Sequence, residues 1–218
     1  MSSHLIYHPK RCEQQFGCSK VYFDRPRGNQ DPYIWNVAFL HSFCHITELA
    51  APQAGDINFW VSGDKFPDFN TLSCDLVFVI DQRIEWADRN SIALSDPMVD
   101  SDLAFQDHYR WAERQHHFTK RKRITLKAEP AKSFQPQTST GDLIDILPEL
   151  SALGFTTSTL RIALKKGFAS KPMPIDPVSA AHLFSFLQSH AAVRLLGSQL
   201  QTIRQNNPSL ASPYRQKY

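Results

Sequence analysis

The sequence predicts an α+β protein with a curved mixed β-sheet, in which a strand-rich part precedes a helical part. Two observations carry this prediction. Short apolar runs between turn residues dominate the chain up to residue 140, and helical stretches with capping residues follow. We therefore divide the 218-residue chain into a strand-rich domain, residues 1–140, and a helical extension packed on it, residues 141–218.

Two neighbouring strands are expected at the centre of the sheet. The segment GDINFWVSGD, which starts at Gly55, opens with a turn and then alternates in apolar character. Asn58, Trp60 and Ser62 share one face of this strand, opposite three apolar side chains. Residues 75–84, DLVFVIDQRI, form a continuous apolar run that is typical of a buried strand. Further strands are expected at Lys20–Phe23, within 34–49 before a short helix, and within FTKRKRITLKAEP, residues 118–130.

Helices are expected mainly in the second part of the chain. Their predicted ranges are Ser101–Gln115, Leu143–Leu153, Ser158–Lys166, Val178–Ser189 and Val193–Asn206, and residues 133–142 are expected to be a polar loop. Thr156 or Thr157 can cap the second helix of the extension, and Asp176 with Pro177 can open the third. We expect the extension to pack on the sheet through six apolar side chains: Leu147, Leu150, Leu160, Leu164, Phe184 and Leu187.

The composition narrows the class of protein. With 42% hydrophobic and 21% charged residues and a net charge of +3, the chain is typical of a globular protein. It has no apolar run long enough for a membrane span, no uncharged leader at its start, and four cysteines without disulfide spacing. We expect a soluble, cytoplasmic protein, bacterial in style, with no membrane partner. The low glycine content and the lack of a phosphate-binding loop predict no nucleotide cofactor.

A basic cluster is the most informative functional feature. Residues 108–127 are rich in Lys, Arg and His, and Glu113 is the one acidic residue in that window. Such a cluster, with Tyr109 and Trp111 nearby, favours contact with nucleic-acid phosphates. The expected phosphate-binding residues are Arg114, Lys120, Arg121, Lys122, Arg123 and Lys127. A solvated strand end facing the acidic segment before it is the alternative interpretation.

The residue patterns give weaker support to a zinc site, a magnesium site and a helix-turn-helix. His4, His8, Cys12 and Cys18 lie close together, but they lack the paired spacing of a structural zinc site, so no metal site is predicted. Asp56, Asp75 and Asp81 could hold magnesium, although we expect them to be solvated ends of strands. The stretch 147–167 resembles a helix-turn-helix that would present Thr157, Ser158, Arg161 and Lys165, although most such helix pairs are packing units.

One stretch of the chain resembles a known superfamily. The order HSFCHITELAAPQAGDINFWVSGD, followed by LVFVIDQRIEW, is similar to the PUA-like superfamily, which includes ASCH and EVE domains. It is also similar to nucleotide-modification-associated domains found beside bacterial base-modifying enzymes. Gly55 and Asp56 match the turn before a strand that lines a pocket, and Asn58, Trp60 and Ser62 occupy that strand. The resemblance covers about residues 30–130 and leaves out the helical extension.

The resemblance implies a pseudo-barrel that holds a nucleobase, often a modified one, in an aromatic cleft. Trp60 would stack the base and the basic cluster would hold phosphates. Trp60 as a core aromatic under the helical extension is the alternative. Two functions stay open: a module that binds nucleic acid, a nucleotide or a modified base, and a metal-dependent nuclease or nucleotide hydrolase using Asp56, Asp75 or His41.

Overall fold

The computed structural model describes residues 2–8, 11–23, 32, 34–35, 41–42, 52–85, 124–166 and 170–211. Its strands are β1 Ser3–Tyr7, β2 Cys12–Phe16, β3 Ser19–Phe23, β4 His41–Ser42, β5 Ile57–Gly63, β6 Leu72–Glu85, β7 Ile124–Ala128, β8 Phe134–Gln137, β9 Met173–Ile175 and β10 Val193–Leu196. Its α-helices are α1 Leu147–Ala152, α2 Thr157–Leu164, α3 Pro177–His190 and α4 Gly197–Asn206, and a 3-10 helix spans Pro208–Ala211.

Eight of these strands form one mixed sheet. Its main path runs β10-β8-β6-β5-β1-β9, while β7 pairs with both β6 and β4. β1 and β5 are parallel and the other pairs are antiparallel. β6 is 14 residues long and is the central strand, because β5 pairs along one edge and β7 and β8 pair along the other. The strands β2 and β3 form a separate two-stranded hairpin.

The turn before β5 explains why a glycine stands at position 55. Gly55 has a φ of +88°, which is in the left-handed region that an L side chain rarely adopts. In this conformation the Gly55 N–H donates to the Ile80 carbonyl at 2.9 Å, and the Ile80 N–H donates to the Asp56 carbonyl at 2.9 Å. The turn therefore fixes the start of β5 against β6.

Capping residues set the starts of two helices, as the sequence predicts. Thr156 Oγ1 accepts from the Thr159 N–H at 3.1 Å at the start of α2. Asp176 Oδ1 accepts from the Val178 and Ser179 N–H groups at 3.0 Å each, with Pro177 at the first position of α3. Each cap satisfies backbone donors that have no partner inside the helix.

Different elements pack on the two faces of the eight-stranded sheet. One face, here called the helical face, carries Phe59 and Val61 of β5 and packs against buried side chains of α1, α2 and α3. The opposite face, here called the hairpin face, carries Trp60 and packs against Val21 and Phe23 of the β2–β3 hairpin. Successive residues of a strand point to opposite faces, so β5 supplies both cores. This alternation decides where the functional candidates lie.

The structure confirms the α+β class and the mixed sheet, and it corrects several elements. β5 and β6 are neighbouring strands, as predicted, and the structure pairs them antiparallel. Residues 133–142 contain strand β8 rather than only a loop, and the last helix begins at Gly197 because Val193–Leu196 is strand β10. The predicted helix Ser101–Gln115 and most of residues 34–49 lie outside the described residues.

The sheet is open within the described ranges, since its main path ends at β10 on one side and β9 on the other. It is therefore not closed into a barrel there. β9 and β10 come from the predicted helical extension, and they pair with β1 and β8 from the predicted strand-rich domain. The division near residue 140 stays a prediction, but the sheet draws strands from both sides of it.

Candidate functional site

The three predicted pocket residues lie together on the hairpin face, and all are buried. Asn58 and Trp60 are 0% exposed and Ser62 is 6% exposed. Trp60 belongs to the apolar cluster that includes Leu76, Phe78 and the buried side chains of β3. Trp60 is thus a core aromatic. Its cluster includes Leu200 of α4, from the predicted helical extension, whereas α1, α2 and α3 cover the opposite face. The use of this face as a ligand pocket stays a prediction.

Strand β1, which the sequence reasoning missed, adds histidines to the same face. In the parallel pairing of β1 with β5, His4 is opposite Asn58 and Ile6 is opposite Trp60. His8 follows at the end of β1, and both histidines are 6% exposed. The alternation of His4, Ile6 and His8 along SHLIYH is a period-two pattern that could have predicted this strand.

A buried ion pair lies at the Ser62 end of β5. Arg11 Nε donates to Asp75 Oδ2 at 3.1 Å, and the side chains are 3% and 0% exposed. Ser62 Oγ donates to Asp75 Oδ1 at 2.6 Å. Both carboxylate oxygens of Asp75 therefore accept a hydrogen bond, which compensates part of the cost of burying the charge.

Asp75 occupies a bulge inside β6, so its prediction as a solvated strand end is wrong. Val61 pairs with Cys74 and Trp60 pairs with Leu76, which leaves Asp75 as the extra residue between them. A bulge redirects a side chain that would otherwise follow the strand alternation. Here Asp75 lies beside Ser62 and Arg11, and no pattern in the sequence connects these positions.

The electrostatics of Asp75 reflect a balance of burial and charge. Burial raises the pKa of Asp75, while Arg11, Ser62 and His8 act to lower it, and the net direction is upward. A titratable group with a perturbed pKa beside a specific charge partner is a candidate for function. Structural ion pairs also perturb pKa values, so this feature alone does not distinguish the two roles.

The ion pair and the indole of Trp60 are in contact. The guanidinium carbon of Arg11 is 5.8 Å from the centroid of the Trp60 ring, and the His8 ring centroid is 6.0 Å from it. A guanidinium at this distance from an indole face gains a cation–π interaction. Trp60 is therefore flanked by cationic and polar groups as well as by apolar side chains.

The buried polar side chains on this face of β1 and β5 are here called the polar row. At the end of the row away from Ser62, His4 and Asn58 have unsatisfied polar atoms. Within the described part of the chain, His4 Nδ1 and both Asn58 amide atoms are buried without a hydrogen-bond partner. Burial lowers the pKa of His4, against the opposing effects of Asp56, of the Ser2 backbone and of the Asn58 side chain, which lies near the His4 ring but outside hydrogen-bond geometry. An internal water or a ligand polar group would satisfy these atoms.

The candidate metal ligands are not brought together. The Asp56 carboxylate accepts from the Ser2 and Gln53 N–H groups at 2.8 and 2.9 Å, so it has a structural role at the turn before β5. Asp75 lies about five residues further along the sheet, roughly 16 Å away, and Asp81 is exposed. Over residues 2–85 and 124–211, less the gaps already given, no group of three His, Cys, Asp or Glu side chains could hold a metal ion.

Most of the predicted phosphate-binding cluster lies outside the described residues. This applies to Arg114 and to Lys120–Arg123. Lys127 is described and lies half-buried on β7, where it pairs in register with Gln82 of β6 and His41 of β4. β7 begins at Ile124, the residue after Arg123 in the chain, and Ile124 pairs with Glu85 at the end of β6.

Of the predicted helix-turn-helix residues, Arg161 has a local packing role. Arg161 of α2 donates to the Phe69 carbonyl from Nη2 at 2.7 Å and from Nε at 3.2 Å. Its guanidinium also lies 5.9 Å from the Phe69 ring centroid. Arg161 therefore fixes the loop between β5 and β6 to α2, while Ser158 and Lys165 are exposed.

Comparisons with known proteins give no family to which the chain can be assigned. No protein-family model, no curated protein and no solved structure matches it. In the portion of the chain that the structure describes, no helix has the length and apolar character needed to cross a membrane. The class that the structure itself defines is an α+β protein with an open mixed sheet and a buried polar row on one face.

Proposed function

We propose that the chain is a binding module for nucleic acid or a modified nucleobase, with the hairpin face around Trp60 as the base site. The observation that carries this proposal is the Asn58 amide, which is fully buried and lacks a hydrogen-bond partner among the described residues. An unsatisfied buried polar group costs about 1–3 kcal/mol. A ligand that supplies the missing partners would explain why an amide stands there.

The chemistry of the amide fits the edge of a base. An Asn side chain offers a donor and an acceptor side by side, and a nucleobase offers the complementary pair. Trp60, two residues along the same face, offers an aromatic surface, and base stacking on such a ring contributes about 1–3 kcal/mol. The resemblance to PUA-like domains supports the same role for Asn58, Trp60 and Ser62, and we retain a PUA-like fold as part of the proposal.

Access to this site requires a movement, because Asn58 and Trp60 are both 0% exposed. The β2–β3 hairpin is the element that would move. It is a separate sheet, and its described contacts with β8 include hydrogen bonds from the Gln135 and Gln137 side chains rather than strand pairing. A displacement of this hairpin that keeps its turn beside α4 would open the site and leave the pairing of β8 with its sheet neighbours intact.

The proposal predicts that Asn58→Leu weakens recognition of the base. Loss of a two-point contact should weaken binding of a nucleoside or oligonucleotide by roughly 5- to 150-fold, the equivalent of about 1–3 kcal/mol. The measurement is a titration of labelled single- and double-stranded oligonucleotides, plain and base-modified. Asn70→Leu, at an exposed asparagine, is the matched control and should bind like the wild type.

The basic cluster supplies the second test. Replacing Lys120, Arg121 and Lys122 with Ala should weaken binding and reduce the salt slope by up to about three units if all three contact phosphates. Base preference should not change, because phosphate contacts carry no sequence information. The control is the triple replacement of Lys165, Lys166 and Lys171, which are exposed on and after α2.

The outcomes separate the alternatives. An equal loss in the control triple variant would place the phosphates near α2 instead of the basic cluster. Failure of the wild type to bind any of these oligonucleotides at low salt would overturn the proposal. Cleavage of an oligonucleotide or nucleotide on addition of Mg²⁺ would favour the enzyme over the binding module.

A further inference from the structure

An open groove lies between the turn of the β2–β3 hairpin and the end of α4. Its volume is about 420 Å³, and it is lined by residues 14–17 together with Ile203, Asn206 and Asn207. The groove is separate from the row around Asn58, because none of the residues of that row lines it.

The lining of the groove is uncharged and rich in amides. It contains four Asn or Gln side chains, with Phe16 and Ile203 as its apolar part. Two of the amides are used locally: Gln15 Nε2 donates to the Gly17 carbonyl at 2.9 Å, and Asn207 Nδ2 donates to the Ile203 carbonyl at 2.8 Å. The side chains of Gln14 and Asn206 are exposed and form no hydrogen bond with other described residues.

The aromatic part of the groove is firmly supported. The Phe16 ring makes an edge contact with Trp35 at 5.7 Å between centroids, and Trp35 makes a similar contact with Phe23 at 5.3 Å. Trp35 and Phe23 belong to the same buried cluster as Trp60. Trp35 therefore links Phe16 in the groove to Phe23 in the cluster around Trp60, and both phenylalanines belong to the same hairpin.

We propose that this groove binds the base of a second, unpaired nucleotide of the same strand. An uncharged lining suits the neutral ring of a base, Phe16 offers a surface for stacking, and Gln14 and Asn206 offer donors and acceptors to its edge. The inference rests on the proposed function, and it specifies the ligand further as single-stranded nucleic acid of at least two nucleotides.

The experiment compares a single nucleoside, a short single-stranded oligothymidylate and maltose as ligands of the full chain. Binding is followed through the side-chain amide signals of Gln14, Asn206 and Asn58 in ¹⁵N NMR spectra. The oligonucleotide should bind about tenfold more tightly than the nucleoside, and the Gln14 and Asn206 signals should shift with it. The double variant Gln14→Ala, Asn206→Ala should lose this tenfold advantage and keep its affinity for the nucleoside.

Two variants make the result specific. Gln188→Ala, which removes an exposed amide from α3, should leave both affinities unchanged. In the Asn58→Leu variant the Gln14 and Asn206 signals should still shift with the oligonucleotide. If the wild-type Asn58 signal alone stays fixed, the base site is contradicted and the groove site is not. Groove signals that stay fixed with the oligonucleotide, or that shift only with maltose, would overturn the inference.

Discussion

The helical face and the hairpin face share the same strands but are built from different chemistry. From β5, Phe59 and Val61 enter a core of apolar side chains, whereas Asn58 and Ser62 enter a face that also holds the Arg11–Asp75 pair. Apolar burial is non-directional and scales with area, so the stability contributed by a side chain on the helical face depends mainly on the apolar area that it buries. Polar burial depends on specific partners, so each residue of the hairpin face affects stability in its own way.

The largest effect is expected from breaking the buried ion pair. Arg11→Met leaves the fully buried Asp75 carboxylate without its cationic partner, and we expect a loss of about 3–5 kcal/mol in the free energy of unfolding at neutral pH. Chemical denaturation gives this value. The double variant Arg11→Met, Asp75→Asn removes both charges and should recover most of the loss. No recovery would mean that Arg11 acts mainly through packing on Trp60.

The same pair predicts a pH dependence. The pKa of Asp75 is raised in the folded protein, so over the pH window above the ordinary Asp pKa the folded state retains a proton that the unfolded chain releases. Stability contributed by this group is therefore highest below that window and falls as the pH rises through it. Arg11→Met raises the pKa of Asp75 further, so the deficit of the variant should shrink on acidification. A deficit that is constant with pH would contradict this account.

On the helical face, the expected effect is that of a cavity. Leu160 of α2 is 0% exposed and lies in the apolar cluster, so Leu160→Ala should cost roughly 2–4 kcal/mol. Ile162 of the same helix is 67% exposed, and Ile162→Ala should stay within about 0.5 kcal/mol of the wild type. Thermal and denaturant unfolding measure both. Equal effects of the two variants would contradict the packing of α2 on the sheet.

A smaller effect is expected where the hairpin joins the sheet. Gln135 accepts from the Tyr22 N–H at 3.0 Å and donates to the Tyr22 carbonyl, so Gln135→Ala leaves two buried backbone groups unpaired. The cost should be about 1–3 kcal/mol, with faster hydrogen exchange at β3. Gln82→Ala, at an exposed position of β6, is the control. Unchanged exchange in β3 would show that Gln135 does not hold the hairpin.

The smallest effect is expected to have the opposite sign. Asn58→Leu removes buried polar atoms that lack partners, so the free energy of unfolding should stay the same or rise by up to about 1 kcal/mol. Ser62→Ala, on the same face of β5, removes the hydrogen bond to Asp75 and should destabilise the protein. Denaturant unfolding of the pair separates them, and a clear loss of stability in Asn58→Leu would mean that the amide is already satisfied.

The sequence predicts best the elements whose side chains follow one rule throughout. The alternation in β5, the apolar run in β6 and the caps at Thr156 and Asp176 each depend on neighbours in the chain, and each is confirmed. β8, with the sequence FQPQ, has the composition of a loop. It is a strand because its backbone pairs with β10 and with Val77 of β6, both of which are distant along the chain.

For the same reason, the sequence predicts only some of the residues of the candidate site. Asn58, Trp60 and Ser62 can be assigned to one face from their alternation alone. Their polar neighbours cannot, because Arg11 and Asp75 are 64 residues apart and meet through a bulge and a long-range pairing. Local pattern therefore predicts which face carries the site, and tertiary packing decides what surrounds it.

The order of strands in the sheet has a consequence for how the chain is made. β9 and β10 are the end strands of the main path of the sheet, and both come from the last 50 residues of the described chain. A chain emerging from the ribosome therefore exposes the backbone edges of β1 and β8 until residues 173–196 have been synthesised. Unpaired edges bind other strands readily. A product truncated near residue 140 should consequently aggregate during synthesis, whereas the 218-residue chain supplies the strands that pair with both edges.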